Sequence, residues 1–366
     1  MGVCKITGPH TRSLVMPNFT AEELTAICLN VFEKLNIPAA EAEIVTRSMV
    51  DANRVGHDSH GVIHLAKYVR ELEAGLIQPN ALIETLHASA SIAVLDGHWG
   101  FGPVIATRAV ELAIEKAKQT DISSVAVSRC NEVGRLGGYA CLAADAEMIG
   151  LLMANDHGGG TCVAPHGGVE GRLSTNPIAC AVPIEGQDTI VLDMSTSVVA
   201  SGKIRVQQHQ DAALPHGWLI DAAGESTTKA DDFYSTPPAA LLPFGGIAAH
   251  KGFGLSVIVD ILSGALTGAG CSQGADARVG NGLFVLAINV ASFREFPGFS
   301  AEIERFIGYL KSARRAIGVD AIRMPGERGW EEQRKREREG IPIDAETWEQ
   351  IQALTSKPAP FTRKES

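Results

Sequence analysis

Residues 56–61 read GHDSHG and put His57, Asp58, Ser59 and His60 side by side. Imidazole titrates near neutral pH, so a histidine here can give or take a proton. His57, His60 and His64 are spaced i, i+3 and i+7, which on a helix falls near one face. Three imidazoles would suit zinc, but no HExxH pattern supplies a general base beside them, and no metal is expected. Asp58 or Ser59 could instead cap a following helix.

Other segments suit a ligand. LDMSTS (192–197) places Asp193, Met194 and Ser195 at the end of a predicted strand. An acid and hydroxyls at that position serve a bound molecule or a helix cap. HKGFGL (250–255) sets His250 and Lys251 before Gly252 and Gly254. A cation at a glycine turn suits a phosphate; a plain surface lysine is the alternative. GRLGGY (134–139) and DHGGGTCVAPHGG (156–168) are glycine-rich turns that could turn backbone N–H groups toward phosphates. Neither has GxGxxG or GxxxxGK[ST] spacing, so Rossmann and P-loop readings fail.

The elements that must carry these residues follow from periodicity. Thr20 and Glu23 form a capping box before LTAICLNVFEKL, and Pro38 is expected to stop that helix. AAEAEIVTRSMVDANRVG reads as a second helix, and HGVIHLAKYVRELEAGLI as continuing helically to Gly75. Short apolar runs at 92–95, 124–128, 149–154, 178–184, 189–194 and 283–290 read as buried strands. PVIATRAVELAIEKAKQ, YACLAADAEM and FGLSVIVDILSGALTG read as helices between them. Strands alternating with helices argue for an α/β or α+β fold around a mostly buried sheet. The densely charged 325–340 reads as a solvated helix laced with salt bridges.

Composition narrows the function. The chain has 366 residues, 45% hydrophobic, ample for a packed core and long enough for two domains. A formal charge of -10 makes nucleic acid an unsuited partner. Seven cysteines without a CxxC pair fit free thiols in a reducing, cytoplasmic setting. The first residues lack the apolar stretch of a signal peptide, and no run of 18 apolar residues predicts a membrane span.

Taken in order, DSHG…YVRELEAGLI, VGRLGGY, APHGG…STNPIA, LDMSTS…SGK, HKGFGLSVIVDILSGALTG and MPGE…REGIPID resemble the type-2 malate/L-lactate dehydrogenase family over about residues 18–352. The resemblance implies hydride transfer with NAD or NADP between a 2-oxo acid and its 2-hydroxy acid, or onto a cyclic imine acid. It implies a homodimer with a non-Rossmann, mixed-sheet α/β domain at 81–299 for the cofactor. A helical domain would form from 1–80 plus 300–366. His60 matches the proton donor and acceptor, and Ser59 and Asp193 match residues that polarise and orient it. Thr175 matches a substrate-side hydroxyl. Asp193, Met194, Ser195, His250, Lys251, Gly326 and Glu327 match cofactor contacts.

Two positions depart from the family pattern. Glu132 stands where many members carry a histidine. It could be a substitute acid or base, a group that rejects an anionic substrate, or a mark of lost activity in a cofactor binder without turnover. His64 stands where many carry an arginine, and imidazole is the weaker carboxylate anchor. Together they point to a larger or less acidic 2-oxo compound.

Overall fold

The computed structural model describes residues 16–156, 160–209, 212–274 and 278–356. Residues 157–159, inside the second glycine-rich run, and both chain ends lie outside the described residues.

Helix α1 (Ala21–Lys34) starts as the capping box requires. Thr20 Oγ1 accepts from the Glu23 N–H at 3.1 Å, and Glu23 Oε2 accepts from the Thr20 N–H at 2.8 Å. It ends at Lys34, before Pro38, because Asn36 turns the chain with a φ of 55°. Pro38 instead caps the start of α2 (Ala39–Arg54). The third predicted helix is interrupted. Asp58–His60 and Val62–His64 are separate 3-10 turns with extended backbone at Gly61 between them, and only then does α3 (Leu65–Glu73) begin.

The main sheet has seven strands: β1 (Glu84–Ala88), β2 (Ile92–Asp96), β3 (Ile122–Cys130), β4 (Met148–Asp156), β5 (Ile178–Val182), β6 (Ile190–Met194) and β7 (Asn281–Asn289). They form one mixed sheet in the order β1-β2-β3-β7-β4-β5-β6. Only β2 and β3 run parallel, joined by α4 (Gly102–Thr120); every other pair is antiparallel. The late strand β7 enters the middle, between β3 and β4. Alanines at 106, 109, 113 and 117, with Ile105 and Val110, bury one face of α4 on this sheet. Helix α5 (Leu136–Asp145) packs beside it through Tyr139, Ala140 and Ala143.

A second core lies in the helices. Leu24, Cys28, Phe32, Val45, Met49 and Tyr68 pack with Ile341, Ile343 and Ile351, so the C-terminal segment closes the N-terminal helices. Helix α6 (Ser201–His209) follows β6. Helix α7 (Ala249–Asp260) continues as a π-helical turn, Ile261–Ala265. The stretch 246–265 has the length and mean hydropathy (1.2) of a spanning helix, a feature that a search for unbroken apolar runs passes over. Its Asp260 is buried and accepts from Asn155 Nδ2 at 2.7 Å, and Val259 packs with Met153 and Ile178. One face of it is therefore seated on the protein's own core, with 28% of the stretch buried. Helix α8 (Phe296–Lys311) buries only Ser300. Helix α9 (Glu327–Glu339) is the charged segment and α10 (Ala345–Ser356) ends the described chain.

Candidate active site

The GHDSHG turn lies where the helical core meets the sheet. Three contacts fix it. Asp58 receives two bonds from Arg336 of α9, at 2.6 and 2.9 Å, and one from Asn53 Nδ2 at 2.6 Å. Asn53 Oδ1 accepts from the Val62 N–H at 2.8 Å. Gly61 passes so close that an added Cβ would fall 2.2 Å from Asn53 Oδ1, which explains the glycine. Asp58 is thus a structural tether, and Arg336 is buried rather than part of a wholly solvated helix.

This brace aims Ser59 and His60 inward. Ser59 Oγ lies 3.0 Å from His60 Nδ1. No other bond to the ring occurs among the described residues, so Nε2 is the nitrogen left for a ligand. Burial pushes the His60 pKa down to about 4, assisted by His64, His57 and Arg135; Asp193 pulls upward and is outweighed. His60 is therefore neutral at pH 7.

His64 stacks on His60 at 6.0 Å between ring centroids, with planes 12° apart. Its Nε2 lies 2.8 Å from the Ser59 carbonyl, which can only accept, so the proton sits on Nε2. Nδ1 is buried without a hydrogen-bond partner, 3.7 Å from Glu132. Burial, then Lys67, lowers the His64 pKa to about 4. His57 is lowered to about 4 as well, by burial and by Arg135, Lys203 and Arg328. The three histidines do not converge as metal donors. Among the described residues the one such trio is Glu84, Asp96 and His98, and Arg129 already grips Asp96 there with two bonds at 2.8 Å.

Glu132 is not a free base. Lys67 of α3 pairs with it and also lies 3.7 Å from Glu71. The helical spacing of Lys67 and Glu71 is visible in sequence, but the long-range pairing with Glu132 is not. Lys67 thus offsets part of the negative charge that could reject an anionic substrate, and shares itself with Glu71.

Asp193 ends β6 and meets the first turn of α5. Its Oδ2 accepts from the Gly137 N–H at 3.0 Å and lies 3.1 Å from Arg135 Nε. Burial pushes its pKa up, opposed by Arg135, Gly137 and His60. Arg135 sits inside the glycine motif at 134–139 and carried no role in the sequence reading. Gly202, at the start of α6, closes the other side, 3.5 Å from Ser59 Cβ to its own Cβ position.

The remaining predicted residues divide into two groups. The Thr175 carbonyl accepts from the Thr196 N–H at 2.9 Å, tying the STNP turn to the strand end after Asp193. Ser195 Oγ donates to the Ser197 carbonyl at 3.1 Å, and Met194 packs against the cluster around Val259. The Phe244 N–H bonds the Thr196 carbonyl, and Gly252 lies against Phe244, bringing the first turn of α7 with exposed His250 and Lys251 toward the same strand end. Gly326 and Glu327 lie apart from these. The Pro325 carbonyl accepts from the Val191 N–H at 3.0 Å, at the opposite end of β6. Glu327 is occupied by Lys311 and by the Met324 N–H.

Comparisons place this arrangement among known proteins. The malate/L-lactate dehydrogenase family model matches residues 19–352. Malate dehydrogenase of Pyrococcus abyssi is 37% identical over 344 residues, covering 92% of this chain and 93% of that one. Hydroxycarboxylate dehydrogenase B of Escherichia coli is 33% identical over 338 residues, covering 91% and 92%. The solved malate dehydrogenase of Pyrococcus horikoshii superposes with a TM-score of 0.83 at 34% identity, covering 93% and 94%. Matched along nearly its whole described length in sequence and in fold, this chain belongs to the malate/L-lactate dehydrogenase family.

Proposed function

We propose that the protein is an NAD(P)-dependent oxidoreductase interconverting a 2-oxo acid and its 2-hydroxy acid, with His60 as proton donor and acceptor. The relatives named above, a malate dehydrogenase and a hydroxycarboxylate dehydrogenase, support the substrate class. One observation carries the role of His60: a half-buried imidazole whose Nδ1 is taken by Ser59 Oγ, leaving Nε2 free.

The chemistry follows from that nitrogen. A bound nicotinamide would supply or accept the hydride. As hydride reaches the carbonyl carbon, charge builds on the oxygen, and the protonated form of His60, the minor form at pH 7, neutralises it with its Nε2 proton and is left neutral. In the reverse direction neutral His60 takes the hydroxyl proton. Ser59 fixes the ring, and Asp193 contributes a charge that favours the protonated form. The Glu132–Lys67 pair lies beside His64.

The residues fit a cofactor at one end of β6. Asp193 to Ser195, the first turn of α7, and Lys251 gather there, and a helix start with a lysine suits a diphosphate. Gly326–Glu327 is the poorer fit, since both carboxylate oxygens are engaged. The sheet, with one parallel pair, would carry this site without a doubly wound parallel sheet. The separate apolar core of 24–77 with 341–351 supports a helical domain built from both ends of the chain. Ile258 and Ile261 stand half-exposed on neighbouring turns of α7 and support a homodimer covering them.

The test is NAD(P)H consumption with a panel of 2-oxo acids. Turnover on an acid of this class is expected. Tight cofactor binding with no turnover on any of them would favour a binder that has lost the reaction.

A further inference from the structure

Arg135 is the first candidate because of how its donors are spent. It caps the start of α5, and its side chain is only 11% exposed. Its Nε lies 3.1 Å from Asp193 Oδ2, yet the N–H does not point at that oxygen and has no hydrogen-bond partner. The Gly137 N–H takes the oxygen instead. Asp193 therefore balances the guanidinium charge without using its donor. A buried donor left unmatched is costly, and charged donors most of all. Such a group is ready for an acceptor that arrives later.

Gly137 fixes where the guanidinium lies. A Cβ at Gly137 would fall 2.5 Å from Asp193 Oδ2 and 2.8 Å from Arg135 Nη2, so glycine lets the guanidinium lie over the helix start. The guanidinium charge acts on both His57 and His60, and Asp193, 3.1 Å from its Nε, acts on His60 as well. The other cations near these histidines are spent or peripheral. Lys67 is engaged by Glu132 and Glu71, and Arg336 by Asp58 and Glu332. Lys203 and Arg205 of α6 and Arg328 of α9 are exposed.

We infer that Arg135 anchors the carboxylate of the substrate and so determines the specificity of this site for acids. In a 2-oxo acid the carboxylate is bonded directly to the carbonyl carbon. One small molecule can therefore meet Arg135 with its carboxylate while its carbonyl oxygen faces His60. A planar guanidinium offers the paired donors that a carboxylate accepts. This inference rests on the dehydrogenase reading above.

The test compares the best 2-oxo acid of the panel with its methyl ester at the 1-carboxyl. Arg135→Gln is expected to lower kcat/KM for the acid about 100-fold more than for the ester, chiefly through KM. Arg135→Lys, which keeps the charge but loses the fork, should reduce the preference for acid over ester about tenfold. It carries the test if the glutamine variant does not fold. Fluorescence titration with NADH or NADPH should show cofactor affinity unchanged in both. Equal losses for acid and ester would mean that Arg135 acts through Asp193, and would overturn the inference. Unchanged preference, or lost cofactor binding, would overturn it too. His60→Ala separates the two claims, since it should remove turnover of acid and ester alike. A wild-type protein that turns over no acid would overturn the dehydrogenase reading, and this inference with it.

Discussion

At the scale of single residues, burial sets the chemistry of the site. His57, His60 and His64 all have pKa values lowered to about 4, with desolvation the largest cause in each. An unfolded chain binds these protons near pH 6.5. Between pH 6.5 and 4 the unfolded state therefore holds more protons, and stability falls as pH falls. The contribution is fully present above pH 6.5. Urea midpoints are expected to drop between pH 7.5 and 5, and to drop less in His57→Gln. A midpoint independent of pH over that range would contradict the burial of these rings. The types of these residues were legible in the sequence, and their closeness to Ser59 was fixed by adjacency. Their protonation was not legible, because it depends first on burial by the folded chain and then on cations such as Arg135 and Lys203, which arrive from distant segments. Asp193 works in the direction expected of a carboxylate beside a histidine, but burial outweighs it.

At the scale of elements, the site depends on how α9 braces the 58–64 turns. Arg336 bonds Asp58, Glu332 and the Asn53 carbonyl. Asp58 is half-exposed, so the loss on removing Arg336 should sit at the lower end of the range for broken buried pairs. Arg336→Ala is expected to cost about 3 kcal/mol in urea unfolding. It should also lower kcat, since Ser59 and His60 lose their support. Gly61→Ala forces a methyl group onto Asn53 and should cost about 1–3 kcal/mol. Stability within about 0.5 kcal/mol of wild type for either variant would refute the brace. Periodicity had shown a charged helix at 325–340, but one arginine facing inward leaves no mark in that pattern. The break at Gly61 was equally hidden, because apolar spacing runs on through it. Strands were easier to read. The runs near 92, 124, 149, 178 and 283 became inner strands, which are largely apolar, and the run near 190 became the edge strand β6. The exposed edge strand β1 carried no such signal.

At the scale of the molecule, β7 holds the two halves of the sheet together and so fixes where β6 ends and Asp193 sits. Its placement between β3 and β4 joins residues more than a hundred positions apart, and no local pattern encodes it. Sedimentation of the intact protein is expected to give twice the chain mass, and Ile258→Glu to shift it toward one chain; a monomer in the unmutated protein would remove the homodimer from the account. The most direct test of the central claim is single-turnover oxidation of NAD(P)H by the preferred 2-oxo acid in His60→Ala. A rate lower by about 10²–10⁴-fold, with cofactor fluorescence still reporting normal binding, is the predicted result. A rate within a fewfold of wild type would contradict the assignment of His60 as the proton donor.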